Sequence, residues 1–184
     1  MDDQLATQLA SAMTGTTPAS AFHTDAAATT ATFTVTEKFG LMTAHGTIPV
    51  VTADVTVDAD GLPRGTATLD VSALDTGNAR RDKDLRGARF FDTATFPLVD
   101  FRSVSTRRTD DGVVVDGLLT IRGEDCPLSL AATLTHQPDG GVAVHATGTF
   151  DRMTSPLRRA PRWLISGSVD VVVDAVLHPV REAR

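Results

Sequence analysis

The stretch TGNARRDKDLRGARFF, Thr76 to Phe91, is where this sequence gathers groups able to hold an anion. It carries Arg80, Arg81, Lys83, Arg86 and Arg89 against two acids, Asp82 and Asp84. Arginine forks match the oxygens of phosphate or carboxylate. Arg81, Arg86 and Arg89 could therefore seat an anionic head group. The competing reading is structural: Arg81 and Arg86 pair with Asp82, Asp92 or Asp75 and fasten a short helix, as most such clusters do. Asp151–Arg152 and the run PLRRAPRW are open to the same two readings.

Other chemistry is thinly represented. His23, His45, His136, His145 and His178 show no His-x-His or His-Glu-x-x-His spacing, so a metal site is not expected. Asp82 with Asp84, and Asp110 with Asp111, sit in turn-like segments and read as solvated, whereas acid–base catalysis needs a carboxyl shifted by burial. Cys126 stands beside Glu124 and Asp125, which raise a thiol's pKa and argue against a nucleophile. No phosphate loop or dinucleotide fingerprint occurs. No catalytic residue and no cofactor is expected. A formal net charge of −6 argues against a nucleic-acid partner. The first residues, MDDQLATQLASAM, lack the positive charge and apolar run of a secretory leader, and no stretch has membrane-spanning length. A cytoplasmic protein is expected, with its oligomeric state, a homodimer included, left open.

Elements must position those charges. Asn78 or Thr76 can cap a helix over Ala79–Arg86, with Gly87 ending it in a left-handed conformation. Phe90, Phe91 and Phe96 would then bury against whatever the helix covers. Elsewhere the apolar period is two. Ala31, Phe33 and Val35 alternate with threonines; so do Val51, Ala53, Val55 and Val57 with Thr52, Asp54, Thr56 and Asp58, and Ala67, Leu69, Val71 and Ala73 with Thr68, Asp70 and Ser72. PLVDFRSV, GVVVDGLLTIRG, PLSLAATLTH, GGVAVHATGTFD and SGSVDVVVDAVLH continue the pattern, separated by the turn signals DADGLP, TDDG, RGEDCP and QPDGG. Eight two-faced strands with short connections predict an all-β, antiparallel, up-and-down barrel with the helix as a plug at one mouth. Inward positions such as Ala67, Ala73, Gly117, Ala132, Ala146 and Gly148 are small, which favours a lumen able to hold a ligand over one filled by larger neighbours. Leu5, Leu9 and Met13 suit a short helix in an N-terminal extension, residues 1–20, ahead of a barrel domain at 21–180 and a tail at 181–184.

The segment LDVSALDTGNARRDKDLRGARFFDTATFPLVDFRS resembles the signature of the YceI-like family through Thr76, Gly77, Arg81, Asp82, Leu85, Arg86, Phe90, Phe91, Asp92, Phe96, Pro97 and Phe101. Leu119, Ile121, Gly123 and Pro127 match its next element, and Asp151–Arg152 a later one, so that the likeness runs from about Phe22 to Leu177. It implies an extended lipocalin-like barrel closed at one end by a short helix. It also implies an apolar cavity for long-chain lipids such as isoprenoid quinones and polyprenyl phosphates, and no established catalytic residue. The opening differs: Phe22 stands for the family's Trp, Ala28 for a His, Thr29 for a Ser, and Glu37 or Lys38 for a second His. If those histidines hold a ligand head group in relatives, that contact is lost here.

Together these readings predict binding, sequestration or transport of a long apolar small molecule. The alternative is a cofactor-independent cyclase or isomerase that orients a polyene, polyketide or isoprenoid chain. Candidate ligand-lining residues on the dry face are Phe33, Val35, Leu69, Val71, Phe101, Leu119, Ile121, Leu130 and Phe150. Asn78, Arg81, Leu85, Arg86 and Phe90 are the candidates at the mouth, together with Phe39 and Trp163.

Overall fold

Connections at 58–62, 110–111, 122–123 and 137–141 are short enough to fold each strand back beside its predecessor. The computed structural model describes residues 20–24, 29–37, 42–58, 60–138, 141–159 and 165–180. It contains strands β1 (Ser20–Thr24), β2 (Thr30–Glu37), β3 (Met42–Val57), β4 (Pro63–Asp70), β5 (Leu98–Thr109), β6 (Gly112–Ile121), β7 (Glu124–His136), β8 (Val142–Asp151) and β9 (Ile165–Pro179), and one α-helix, α1 (Ala79–Arg86). Strands β2 to β9 each pair antiparallel with the next, and β9 pairs with β2. The sheet therefore closes as the expected eight-stranded barrel, with no free edge around the ring. β1 is an addition to the expected set. It lies in line with β2, pairing with the far halves of β3 (Phe22 opposite Val55) and β9 (His23 opposite His178). The N-terminal helix expected around Leu5, Leu9 and Met13 lies outside the described residues, as do Phe39 and Trp163.

Three local departures from simple alternation have physical causes. β3 is twice as long as the expected strand at 51–58, and a bulge between Val50 and Thr52 shifts its phase. Val50 consequently points into the core at 6% exposure while Val51, expected inside, is turned outward at 47%. β4 stops at Asp70, whose carboxylate accepts from the Ser72 backbone N–H and winds Val71–Ala73 into a 3-10 turn. Val71 stays buried, but Ala73 faces solvent instead of the lumen. The turn between β6 and β7 is only Arg122–Gly123, with φ values of 52° and 78°. That left-handed pair is what a two-residue hairpin of primed type requires, and Glu124 to Pro127 belong to β7.

Leaving β4, the chain returns to the wall where Asp75 exchanges backbone hydrogen bonds with Thr47 of β3, at 2.8 and 3.0 Å. That bridge sets α1 over the end of the barrel formed by the close of β4 and the start of β5. Beneath it lies a core of Val71, Leu74, Val99, Ile121, Cys126 and Leu128, with Phe150. A second cluster, Phe22, Val57, Val142 and Leu177, closes in on the opposite end.

Candidate functional site

Between those two clusters the barrel is hollow. A cavity of about 1190 Å³ runs along the lumen, above the usual ~300–1,000 Å³ of small-molecule pockets. Side-chain size explains the space. Ala31, Ala44, Ala53, Ala67, Ala132 and Ala146 all line it. Even the phenylalanines are kept to the wall. A Cβ placed on Gly46 would fall 2.4 Å from the Phe33 ring, and one on Gly117 2.4 Å from the Phe101 ring. Each ring thus lies in the notch of a glycine on the neighbouring strand, and the bore stays open.

Helix α1 roofs one end. Asn78 caps it by accepting from the Arg80 and Arg81 backbone N–H groups, both at 3.1 Å. Gly87 follows in extended conformation at φ −68°, not the left-handed cap expected; its N–H donates to Asp84. Asp82, read from sequence as solvated, is 6% exposed and accepts from the backbone N–H and hydroxyl of Thr76. Arg81 donates from Nε to the Thr76 hydroxyl at 2.9 Å and to the Thr76 carbonyl at 3.0 Å, and Arg86 donates to the Leu74 carbonyl. The cluster does fasten the helix, but through Thr76 and carbonyl oxygens, not the direct pairs of Arg81 and Arg86 with Asp82, Asp92 or Asp75 that the sequence suggested. Arg122 secures the adjoining turn by donating to the carbonyls of Ala88 (3.1 Å) and Phe90 (3.0 Å).

The structure brings most of the expected residues together. Phe33, Val35, Leu69, Val71, Phe101, Leu119, Ile121, Leu130 and Phe150 all line the cavity, and Asn78, Arg81, Leu85 and Phe90 line its helix end. Arg86 does not; it is turned under the helix toward Leu74. Inward residues of β9, such as Val169, Val171 and Val173, also line the cavity; Asp170 and Asp174 mark the outward face there, although Val172 blurs the alternation. Arg80, Lys83 and Arg89 join the lining at the mouth. Arg152 was the least readable. It is 3% exposed, and its guanidinium donates to the carbonyls of Ser166 (2.7 Å), Leu157 (3.0 Å) and Ile165 (2.6 Å), drawing the chain after β8 onto the start of β9.

Cys126 is fully buried beside the lumen core. Burial raises its pKa above the ordinary thiol value, and the neighbouring carboxylates of Glu124 and Asp125 push in the same direction. The native thiol is expected to react with a maleimide far more slowly than the unfolded chain does, as thiol labelling with and without denaturant will read. Because the folded state holds the proton more tightly, this group's contribution to stability is present below the unfolded thiol's pKa of about 8.5 and fades as pH rises above it.

Among the described residues no three His, Cys, Asp or Glu side chains converge as metal ligands, and no helix is long and apolar enough to cross a membrane. The arrangement offers shape and apolar surface, with polar groups gathered at one rim.

Comparison with known proteins agrees with this geometry. The model of a family described as the YceI-like domain matches residues 22–177. The YceI protein of Salmonella arizonae is 39% identical over 72 residues, 39% of this chain and 38% of that relative, so the matched stretch spans less than half of the relative's length. Among solved structures, BcnA of Burkholderia cenocepacia superposes with a TM-score of 0.72 at 18% identity, over 83% of this chain and 98% of that one. A polyisoprenoid binding domain from Saccharophagus degradans, implicated in plant cell wall breakdown, does so with a TM-score of 0.60 at 14% identity, over 86% and 98%. At these identities the likeness is one of fold.

Proposed function

Because the chain belongs to the YceI-like domain family, we propose that it binds a long apolar small molecule in its barrel lumen, to sequester or carry it. An isoprenoid chain is the leading candidate. The observation that carries the proposal is the hollow bore of about 1190 Å³ walled by alanine, valine and leucine side chains. The Saccharophagus neighbour, called a polyisoprenoid binding domain, lends it support.

Burial supplies the driving force. Hiding ~600 Å² of ligand surface yields a gross gain of about 15 kcal/mol at about 25 cal/mol per Å². Roughly half or more of that is offset by lost rigid-body and chain freedom, which leaves micromolar to nanomolar affinity. Orientation then falls to the polar rim. Arg81, Asp82 and Arg86 are engaged in holding the helix, and no observation favours a chain-cyclising enzyme over a carrier.

The test is extraction of purified protein with organic solvent, followed by mass spectrometry. A prenyl lipid or other long-chain compound at near one equivalent is the expected result. Protein that arrives empty, and then fails to take up geranylgeraniol in a titration, would contradict the proposal.

A further inference from the structure

The rim carries a charge that runs against the rest of the molecule. The chain as a whole is acidic at −6. Yet the charged side chains that α1 and its following turn contribute to the lining are Arg80, Arg81, Lys83 and Arg89, with Asp84 as the lone acid. Of these, Arg80, Lys83 and Arg89 are solvent-exposed as well as part of the lining, so the cavity reaches the surface beside them. None of the three makes a salt bridge or side-chain hydrogen bond among the described residues, Asp84 included. Arg80 and Lys83 stand three positions apart, on neighbouring sites of one helix face, where like charges repel. Arginines elsewhere in the molecule do find carboxylates, as in Arg102–Asp125 at 2.7 Å and Arg64–Asp58 at 3.6 Å.

We propose that Arg80, Lys83 and Arg89 form the seat for the anionic head, phosphate or carboxylate, of an amphiphile whose tail fills the lumen. The proposal rests on the reading of the lumen as a lipid site. The backbone presenting these cations is preorganised, which keeps the ordering cost of such a seat low. Asn78 caps α1, Asp82 and Arg86 tie it to Thr76 and Leu74 in the chain that leads into it, and Arg122 grips the carbonyls on either side of Arg89. The side chains stay in water, so each contact is modest and screened by salt. What they add is selectivity and direction. The head sits at the helix end, and the tail runs toward Phe22, Val57, Val142 and Leu177.

Three probes with one tail test this: geranylgeranyl phosphate, geranylgeranoic acid and geranylgeraniol. Native protein at low salt is expected to favour the phosphate over the alcohol by roughly tenfold to a hundredfold, three exposed charge contacts acting together. The acid should fall between, and the preference should shrink in high salt. In an Arg80→Gln/Lys83→Gln/Arg89→Gln variant the affinities for phosphate and alcohol should converge. Equal binding of all three probes by native protein overturns the head seat while leaving the lumen reading intact. Binding of none overturns both. Sedimentation with phosphatidylglycerol vesicles supplies a further arm. If the triple variant loses the vesicles yet keeps the native preference for the phosphate, the rim contacts membranes and the head-seat proposal is wrong.

Discussion

An Ala67→Phe protein is expected to bind geranylgeraniol about a hundredfold more weakly than the native chain, through loss of lumen space alone. Ala67 sits midway along β4, paired with Ala53 of β3 and Phe101 of β5, and all three line the cavity. It is only half-buried although it faces the barrel interior, so there is open space in front of its methyl group. A phenyl ring projecting there would occupy room now available to about four methylenes of ligand, worth about 3 kcal/mol at ~0.8 kcal/mol each. Since the ring enters the open lumen, the thermal midpoint should hold or rise. Titration beside a thermal melt reads both quantities, with Val104→Thr on the outer wall as the control. Undiminished binding by a well-folded variant would place the ligand somewhere other than the lumen.

Replacing Arg152 with methionine is expected to cost the fold about 3–5 kcal/mol, because it strips donors from three carbonyl oxygens at once and water recovers only part of the loss. Ser166, Ile165 and Leu157 would lose partners now held at 2.7, 2.6 and 3.0 Å. For a chain of this size that corresponds to roughly 10 °C in the thermal midpoint. Lysine should restore only a fraction, since one ammonium cannot reproduce a planar fork that spans several carbonyls. A methionine variant melting within a degree or two of the native protein would show that the segment after β8 is held by something else.

The barrel was legible because alternation is a property of single strands, and it held at Ala31, Phe33 and Val35 of β2, at Val99 and Phe101 of β5 and at Leu119 and Ile121 of β6, all of which line the cavity. It failed at Val51, where one extra residue in β3 turns a valine outward. A bulge leaves no trace in the identities of the residues around it. The 3-10 turn at Val71–Ala73 was missed for a related reason: Asp70 reads equally well as an outward strand residue and as a cap. The helix and its Asn78 cap were readable from local chemistry. The partners of Arg81 and Arg86 were not, since hydrogen bonds to Thr76 and to carbonyl groups depend on how the chain returns to β3 through the Thr47–Asp75 bridge. Arg152 shows the same limit, for sequence displays its charge but not the carbonyls that surround it.

The two aromatic rings lying against Gly46 and Gly117 give the tube an adjustable gauge. Each ring keeps clear of the passage only because the residue behind it ends in a hydrogen atom. One added methyl at either place would collide with that ring, and at Gly117 with the Arg102 carbonyl oxygen as well, so a ring displaced to make room would narrow the bore without any change of strand, turn or charge.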